Sequence, residues 1–404
     1  MNQPFEGKIS AAPTYRLGDP ILITFEIVNT SSESYQVLKW GTPLEGQFTL
    51  DCFTVERNGE RIPYDGKLVS RGEPTANAYI IIGADERIEA SIDLSKAYAI
   101  NREGDYTVTL KGFIFDAFVV PGKVKLAPRK RHEHELQKLP PSTVQFRVEE
   151  GMKPRLTEGQ AARKVSKLAD TGAKEPSFKG GTAKEQSETL NAHNNAQYFA
   201  ALAASQLTTT TTNTNALYQT WFGVFDQSRY DKATKIFGDI SNTLLTEQVT
   251  YDLSGTGCET DWNAYSYDGS RTVWTCDGFW SLPPIDIDCQ FSTILHEWSH
   301  AVGHTEDYAY GDTACQNLAI NNPDNAVKNG DSYENFAERL AQSDFGKSFT
   351  FITDRNTFGR DEINAMLAKA SPAVIPKAFY VIAAILILRF HDIKTLAPRG
   401  VNNS

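Results

Sequence analysis

Residues 295–311 read LHEWSHAVGHTEDYAYG, and this stretch decides the reading of the chain. In it, His296-Glu297-Trp298-Ser299-His300 spaces two histidines four apart. On a helix that spacing puts both imidazoles on one face, with a glutamate beside the first. Two such nitrogens can share a metal ion, and the glutamate can act as a base on a water held there. A catalytic zinc takes three protein ligands and keeps a fourth position for water. The third ligand is then the open question, and His304, Glu306, Asp307 and Asp312 are all close enough in sequence to be candidates. The long motif His-Glu-x-x-His-x-x-Gly-x-x-His is matched as far as Gly303 but ends on Glu306. His304 lies one turn past His300, and three ligands in line on one helix approximate a tetrahedron poorly. Gly303 is also expected to end the helix there.

The surroundings of this motif are helical on both sides. Residues 184–207, KEQSETLNAHNNAQYFAALAASQL, are rich in Ala, Gln, Glu and Leu. Residues 216–240 also suit a helix, with aromatics on the buried side, and the low-complexity TTTTTNTN separates the two. Residues 251–280 read as strands and turns, and SYENFAERLAQS as a further helix. Helix, strands, metal helix, helix is the order expected of an α+β zinc peptidase domain.

The first 150 residues have a different period. ILITFEIVN puts Ile21, Ile23, Phe25 and Ile27 on one face, with Thr24 and Glu26 on the other. RIEASIDL, YTVTLKGFIF and TVQFRV repeat the alternation, which predicts half-buried strands. Asn58-Gly59 between strand-like flanks predicts a two-residue hairpin. Many short strands without helical patterns predict an all-β sandwich. The charge run RKRHEHE, Arg129 to Glu135, is expected to be a solvated loop. The expected organisation is therefore a β-sandwich over 1–150, a polar Lys-rich linker over 151–180, the metal-binding domain over 181–345 and an extension over 346–404. That extension holds an 11-residue apolar run, Ala378 to Leu388, short of the roughly 20 residues a membrane helix needs. A buried segment is the expectation, and a membrane role is disfavoured.

The net charge of -10 lacks the basic field that nucleic-acid binding requires, so nucleic acid is excluded as an expected partner. The five cysteines form no Cys-x-x-Cys pair, which argues against a cysteine zinc site. The first residues, MNQPFEGKIS, show no basic then apolar pattern of a signal peptide.

HEWSH followed by HTEDYAYG resembles the aspzincin signature, HExxH then Gly-Thr-x-Asp-x-x-Tyr-Gly, of deuterolysins and fungal peptidyl-Lys metalloendopeptidases. YQTWFG, TCDGFW and NNPDNAVKNGDSYENFAE resemble further family segments in the same order, over roughly residues 177 to 342. The resemblance implies an aspzincin-type zinc endopeptidase with one Zn2+ per chain and protein or peptide substrates. It implies His296, His300 and Asp307 as ligands, Glu297 as base and Tyr310 as the oxyanion donor. His304 departs from the family, which usually has glycine there. Asp331 and Glu334 match acidic residues that receive the lysine side chain in Lys-specific relatives, which implies cleavage on the amino side of lysine. Cys258 and Cys276 match a family disulfide, and Cys289 would then pair with Cys315. Two disulfides, and the family, imply a secreted protein. The β region resembles a propeptide, so intramolecular inhibition is an expectation, as is self-processing in or just past the linker, at Lys164, Lys167, Lys174, Lys179 or Lys184. The competing expectations are a latent or non-enzymatic protease-like protein whose β-sandwich covers the cleft or binds a partner, and a broad-specificity deuterolysin.

Overall fold

The structure is a computed structural model that describes residues 4–166, 175–209 and 215–345. The tail with its apolar run, Lys167 and Lys174 lie outside the described residues. No helix among the described residues is long and apolar enough to cross a membrane.

The alternation read in the first 150 residues does its expected work. Leu22–Asn29 lies between Phe5–Ala11 and Arg87–Asp93, antiparallel to both. Ile23, Phe25 and Ile27 point inward with no exposed surface. A five-stranded sheet orders Thr14–Arg16, Thr143–Glu149, Gly104–Leu110, Phe53–Arg57 and Glu60–Ile62 side by side. Its last two strands are the predicted hairpin: Asn58 and Gly59 both have positive φ, 50° and 83°, as a primed two-residue turn demands. A third sheet sets Ser34–Leu38 between Ala117–Val120 and Tyr79–Ile82. The inward faces of all three sheets share one apolar core, whose members include Phe25, Trp40, Phe53, Val108 and Phe115.

The second core is mainly helical. Ala183–Thr209, Gln227–Thr246 and Gly330–Phe345 surround Gln290–Gly303, the helix that carries the HExxH residues. That central helix is buried from Gln290 to Ala301 although half of its residues are polar, because elements pack on every side of it and its polar side chains serve the site. A mixed sheet lies beside it in the order Ser177–Lys179, Thr250–Asp252, Thr272–Thr275, Trp262–Ser266, Leu68–Arg71. The last of these strands comes from the middle of the β-rich region. It pairs antiparallel with Trp262–Ser266, Val69 opposite Tyr265 and Leu68 opposite Ser266. Period-two patterning marks a strand but does not say which sheet it joins, so this crossing could not be read in advance.

Two expectations need correction. Cys258 and Cys276 form a disulfide, but Cys289 and Cys315 are buried free thiols. Cys289 sits at the start of the HExxH helix with Sγ on Ser292 Oγ (3.4 Å), whereas Cys315 Sγ accepts from Asn329 Nδ2 (3.4 Å) and faces the Ala309 carbonyl. Each sulfur has its own polar partners, and burial holds both thiols well above the ordinary thiol pKa. The run Arg129 to Glu135 is not a wholly solvated loop either: Arg131 is 6% exposed. Its guanidinium reaches carboxylates of the helical half, which make burial of the charge tolerable.

Candidate active site

The Gln290–Gly303 helix delivers His296 and His300 one turn apart, their Nε2 atoms 2.9 Å from each other. Gly303 is its last residue, and His304 follows in the left-handed region with φ 56°. The chain turns back there, and Asp307 comes under the histidines. Its Oδ1 lies 3.3 Å from His296 Nε2 and 3.4 Å from His300 Nε2. The other three sequence candidates go elsewhere. His304 is exposed and pairs with Asp268, Glu306 faces Lys111 at 3.7 Å, and Asp312 pairs with Arg339.

The three donors fit a zinc ion. A tetrahedron with bonds of about 2.0–2.1 Å has edges of about 3.4 Å, close to two of the three separations here. All three side chains are buried, and Asp307 Oδ1 makes no hydrogen bond, which is costly unless a cation is its partner. The far side of each imidazole is held. His300 Nδ1 meets the Thr305 carbonyl at 3.0 Å and its hydroxyl at 2.8 Å. His296 Nδ1 lies 3.0 Å from both Glu334 Oε2 and Asp331 Oδ1. Such outer contacts fix the ring orientation and would aim Nε2 at a bound metal. The carboxylates of Asp331 and Glu334 are therefore turned at least partly towards a histidine. Glu334 also accepts from Ser292 Oγ (3.1 Å), while Asp331 Oδ2 accepts from the Gly311 amide (2.6 Å).

Glu297 is fully buried, and burial pushes its carboxyl up to about 7 against the opposing pull of His296 and His300. Its Oε2 has no hydrogen-bond partner, while Oε1 accepts from the backbone amide of Ser70 at 2.8 Å. Tyr310 donates its hydroxyl to the carbonyl of Val69 at 3.2 Å. The Val69–Ser70 peptide is thus gripped at its oxygen by Tyr310 and at its nitrogen by Glu297. The Val69 amide lies 3.4 Å from Asp307 Oδ2. Tyr310 itself packs into the β-rich core, against Phe115 and Trp40 at ring distances of 5.1 and 5.8 Å.

Sequence reasoning missed three contributors. Gly330 lies so close to the imidazoles that a Cβ there would stand 2.8 Å from His300 Cε1 and 3.0 Å from His296 Nε2. Its only signal was a glycine ahead of a helix. Arg71, fully buried, pairs with Glu45 at 2.9 Å and stacks on Trp40. Arg131 is the third. Cys52 lies in the β-rich core, 7% exposed.

The aspzincin family model, described as lysine-specific metallo-endopeptidase, matches residues 207–338. An extracellular protease of Aeromonas hydrophila is 28% identical over 324 residues, 79% of this chain and 88% of that protein. The peptidyl-Lys metalloendopeptidase of Pleurotus ostreatus is 36% identical over 167 residues, 40% of this chain and 95% of that protein. A solved zinc peptidase from Grifola frondosa is 34% identical, over 40% of this chain and 98% of its own, with a TM-score of 0.36. With its HExxH helix and this level of identity over nearly the whole of a relative, the chain belongs to the aspzincin family of zinc metalloendopeptidases.

Proposed function

We propose that the chain cleaves peptide bonds on the amino side of lysine, with one zinc held by His296, His300 and Asp307, and that the full chain is a latent, secreted form of the enzyme. The observation that carries the reading is the seating of Val69–Ser70. The strand runs antiparallel to Trp262–Ser266, as an extended substrate would. Its carbonyl and amide meet the two side chains that the reaction needs.

Zinc, when bound, polarises the scissile carbonyl and lowers the pKa of a water towards neutrality. Glu297 accepts the proton of the attacking water and hands it to the leaving amine nitrogen. The Ser70 amide marks where that nitrogen would lie. The Tyr310 hydroxyl donates to the oxygen that gains negative charge, a preorganised contribution of the kind worth about 3 kcal/mol. Asp331 and Glu334 place two carboxyl groups beside the histidines, and these would receive a lysine ammonium. The names of the relatives in Pleurotus ostreatus and Armillaria mellea, peptidyl-Lys metalloendopeptidases, support that specificity. The name of the Aeromonas relative and the oxidised Cys258–Cys276 pair support export. Latency is supported by the strand itself: while Leu68–Arg71 fills the cleft, no other peptide can lie along Trp262–Ser266. We take residues 1–150 as a propeptide-like sandwich, 151–180 as its linker and 181–345 as the protease.

The test is zinc quantification and digestion of a lysine-containing peptide mixture, before and after limited proteolysis of the chain. About one zinc per chain is expected, low activity in the intact chain, and new N-termini at lysine once proteolysis has severed the segment carrying Leu68–Arg71 and freed the cleft. Asp307→Ala is expected to lose both metal and activity. Stoichiometric zinc retained by Asp307→Ala overturns the ligand set, and products without N-terminal lysine overturn the specificity.

A further inference from the structure

The strand in the cleft offers a serine, not a lysine, immediately after the gripped carbonyl. Ser70 is buried and its hydroxyl is too short to reach a carboxylate pocket meant for a long cation. Yet a cation is there, from another part of the chain. Arg131, in the short turn Arg131–Glu133, pairs through Nη2 with Asp288 Oδ1 and lies with Nη1 3.9 Å from Asp331 Oδ2. Its backbone amide donates to Glu73 Oε2 at 3.0 Å, three residues beyond Ser70 and so on the side of the leaving amine. Burial works against its charge, and Asp288, Asp331, Glu334 and Glu73 more than offset that, holding the guanidinium above its ordinary pKa.

Asp288 is built to take this part. Its φ is 50°, a region asparagine and aspartate enter more readily than most residues, and its amide donates to Glu338 Oε1 at 2.7 Å. Its carboxylate is half-exposed and otherwise uncommitted to the histidines. Glu334 is engaged by Ser292 and His296, whereas Asp331 turns Oδ1 to His296 and keeps Oδ2 towards the Gly311 amide and Arg131.

We propose that the cleft is filled by a split pseudosubstrate: Leu68–Arg71 supplies the main chain, Arg131 supplies the cation of the residue after the scissile bond, and Asp288 with Asp331 is the seat of that cation. This deepens the lysine-side reading above and rests on it. It adds Asp288 as a specificity-determining carboxylate and makes Arg131 the pocket's resident. Separating backbone from side chain also accounts for how a substrate-like strand can stay uncut, since the gripped bond precedes serine.

The experiment is chemical rescue in the zinc-loaded full chain, read by thermal unfolding, which needs no turnover. Removing the guanidinium by Arg131→Ala should lower the midpoint and leave a seat for a free cation. n-Butylamine, protonated at neutral pH, should then raise the midpoint in proportion to the logarithm of its concentration, as does methylguanidine. Wild type, whose seat is taken, and Arg131→Ala with Asp288→Asn should show neither rise above a sodium chloride control. Arg131→Gln, nearer in size, serves if the alanine variant does not fold. No rise in either Arg131 variant, or an equal rise in wild type or in the Asp288→Asn double variant, overturns the proposal. The digestion products judge lysine specificity separately: lysine-specific cleavage without rescue removes this inference alone, and rescue without lysine at the new N-termini removes the specificity reading and, with it, Arg131 as a substrate mimic, leaving only a cation seat.

Discussion

At the scale of single residues, the site is a set of short distances with no slack. Gly330 shows this most directly. Any side chain there would meet His300 and His296 within about 3 Å of its first carbon. Gly330→Ala should therefore leave the fold in place but push the imidazoles apart, and equilibrium dialysis should show a clear loss of zinc affinity. Tyr310→Phe separates a different function. If Tyr310 is the proposed oxyanion donor, the variant loses that donor and no proposed metal ligand, so the activated enzyme should keep its zinc and lose about 10²–10³ in kcat, by analogy with other single oxyanion donors. Both histidines and Glu297 were legible in sequence because a 3.6-residue helix turns local spacing into shared direction. Asp307 was legible only through resemblance, since four residues competed and only the left-handed turn at His304 decides which one comes back under the helix. Gly330 and Arg131 were not legible at all, because their roles depend on contacts made across long sequence separations.

Among the elements, the strand Leu68–Arg71 and the segment Arg129 to Glu135 carry the connection between the two halves. Ser70→Pro is a local probe of the first. Proline removes the amide that donates to Glu297 while keeping an extended backbone. Glu297, already lacking a partner at Oε2, would then lose the Ser70 amide from Oε1. The strand should be held less firmly, and the zinc-loaded full chain should cleave peptides faster than wild type. An unchanged rate would mean the remaining strand contacts suffice to close the cleft. The second segment holds a titratable group, His134, beside the Tyr79 hydroxyl, the Trp40 ring and the cationic Arg129 and Arg131. Burial pulls its imidazole down to about 4 from an ordinary 6.5. The folded pKa is below the unfolded one, so the unfolded chain binds the proton first. Stability is full above about pH 6.5 and declines as the pH falls from there to about 4. Midpoints measured across that window should fall less steeply in His134→Gln than in wild type. That strand patterning identified the elements of the β-rich region but not the crossing of one into the other sheet has a physical reason. Ladder bonds are made by backbone atoms, which are the same in every strand, so the sequence specifies burial and leaves the partner to the fold.

For the molecule as a whole, the question is what holds the two halves together once the linker is cut. The contacts across them are many and largely buried. Arg71 bridges Glu45 of the β-rich region and Asp261 of the second half, at 2.9 and 3.9 Å, and Trp40 donates to the same Asp261 at 2.5 Å. Lys67 lies over Trp262 and Tyr265 and donates to the Gly257 carbonyl. Tyr310, from the protease motif, is part of the β-rich core. None of these contacts depends on the linker. A break at Lys167 or Lys174 falls ahead of the sheet strand Ser177–Lys179, so it cuts the tether and leaves Leu68–Arg71 and Arg131 where they are. Nicking there should accordingly yield two fragments that co-elute on size exclusion and remain poorly active. Activity should appear only when the complex dissociates, under dilution or mild denaturant, or when a second cut severs the segment carrying Leu68–Arg71. Breaking the buried charge pairs should promote that step, because an uncompensated buried charge is strongly destabilising. Full activity on the first cut, with the fragments eluting apart, would show that the tether and not the interface keeps the cleft closed.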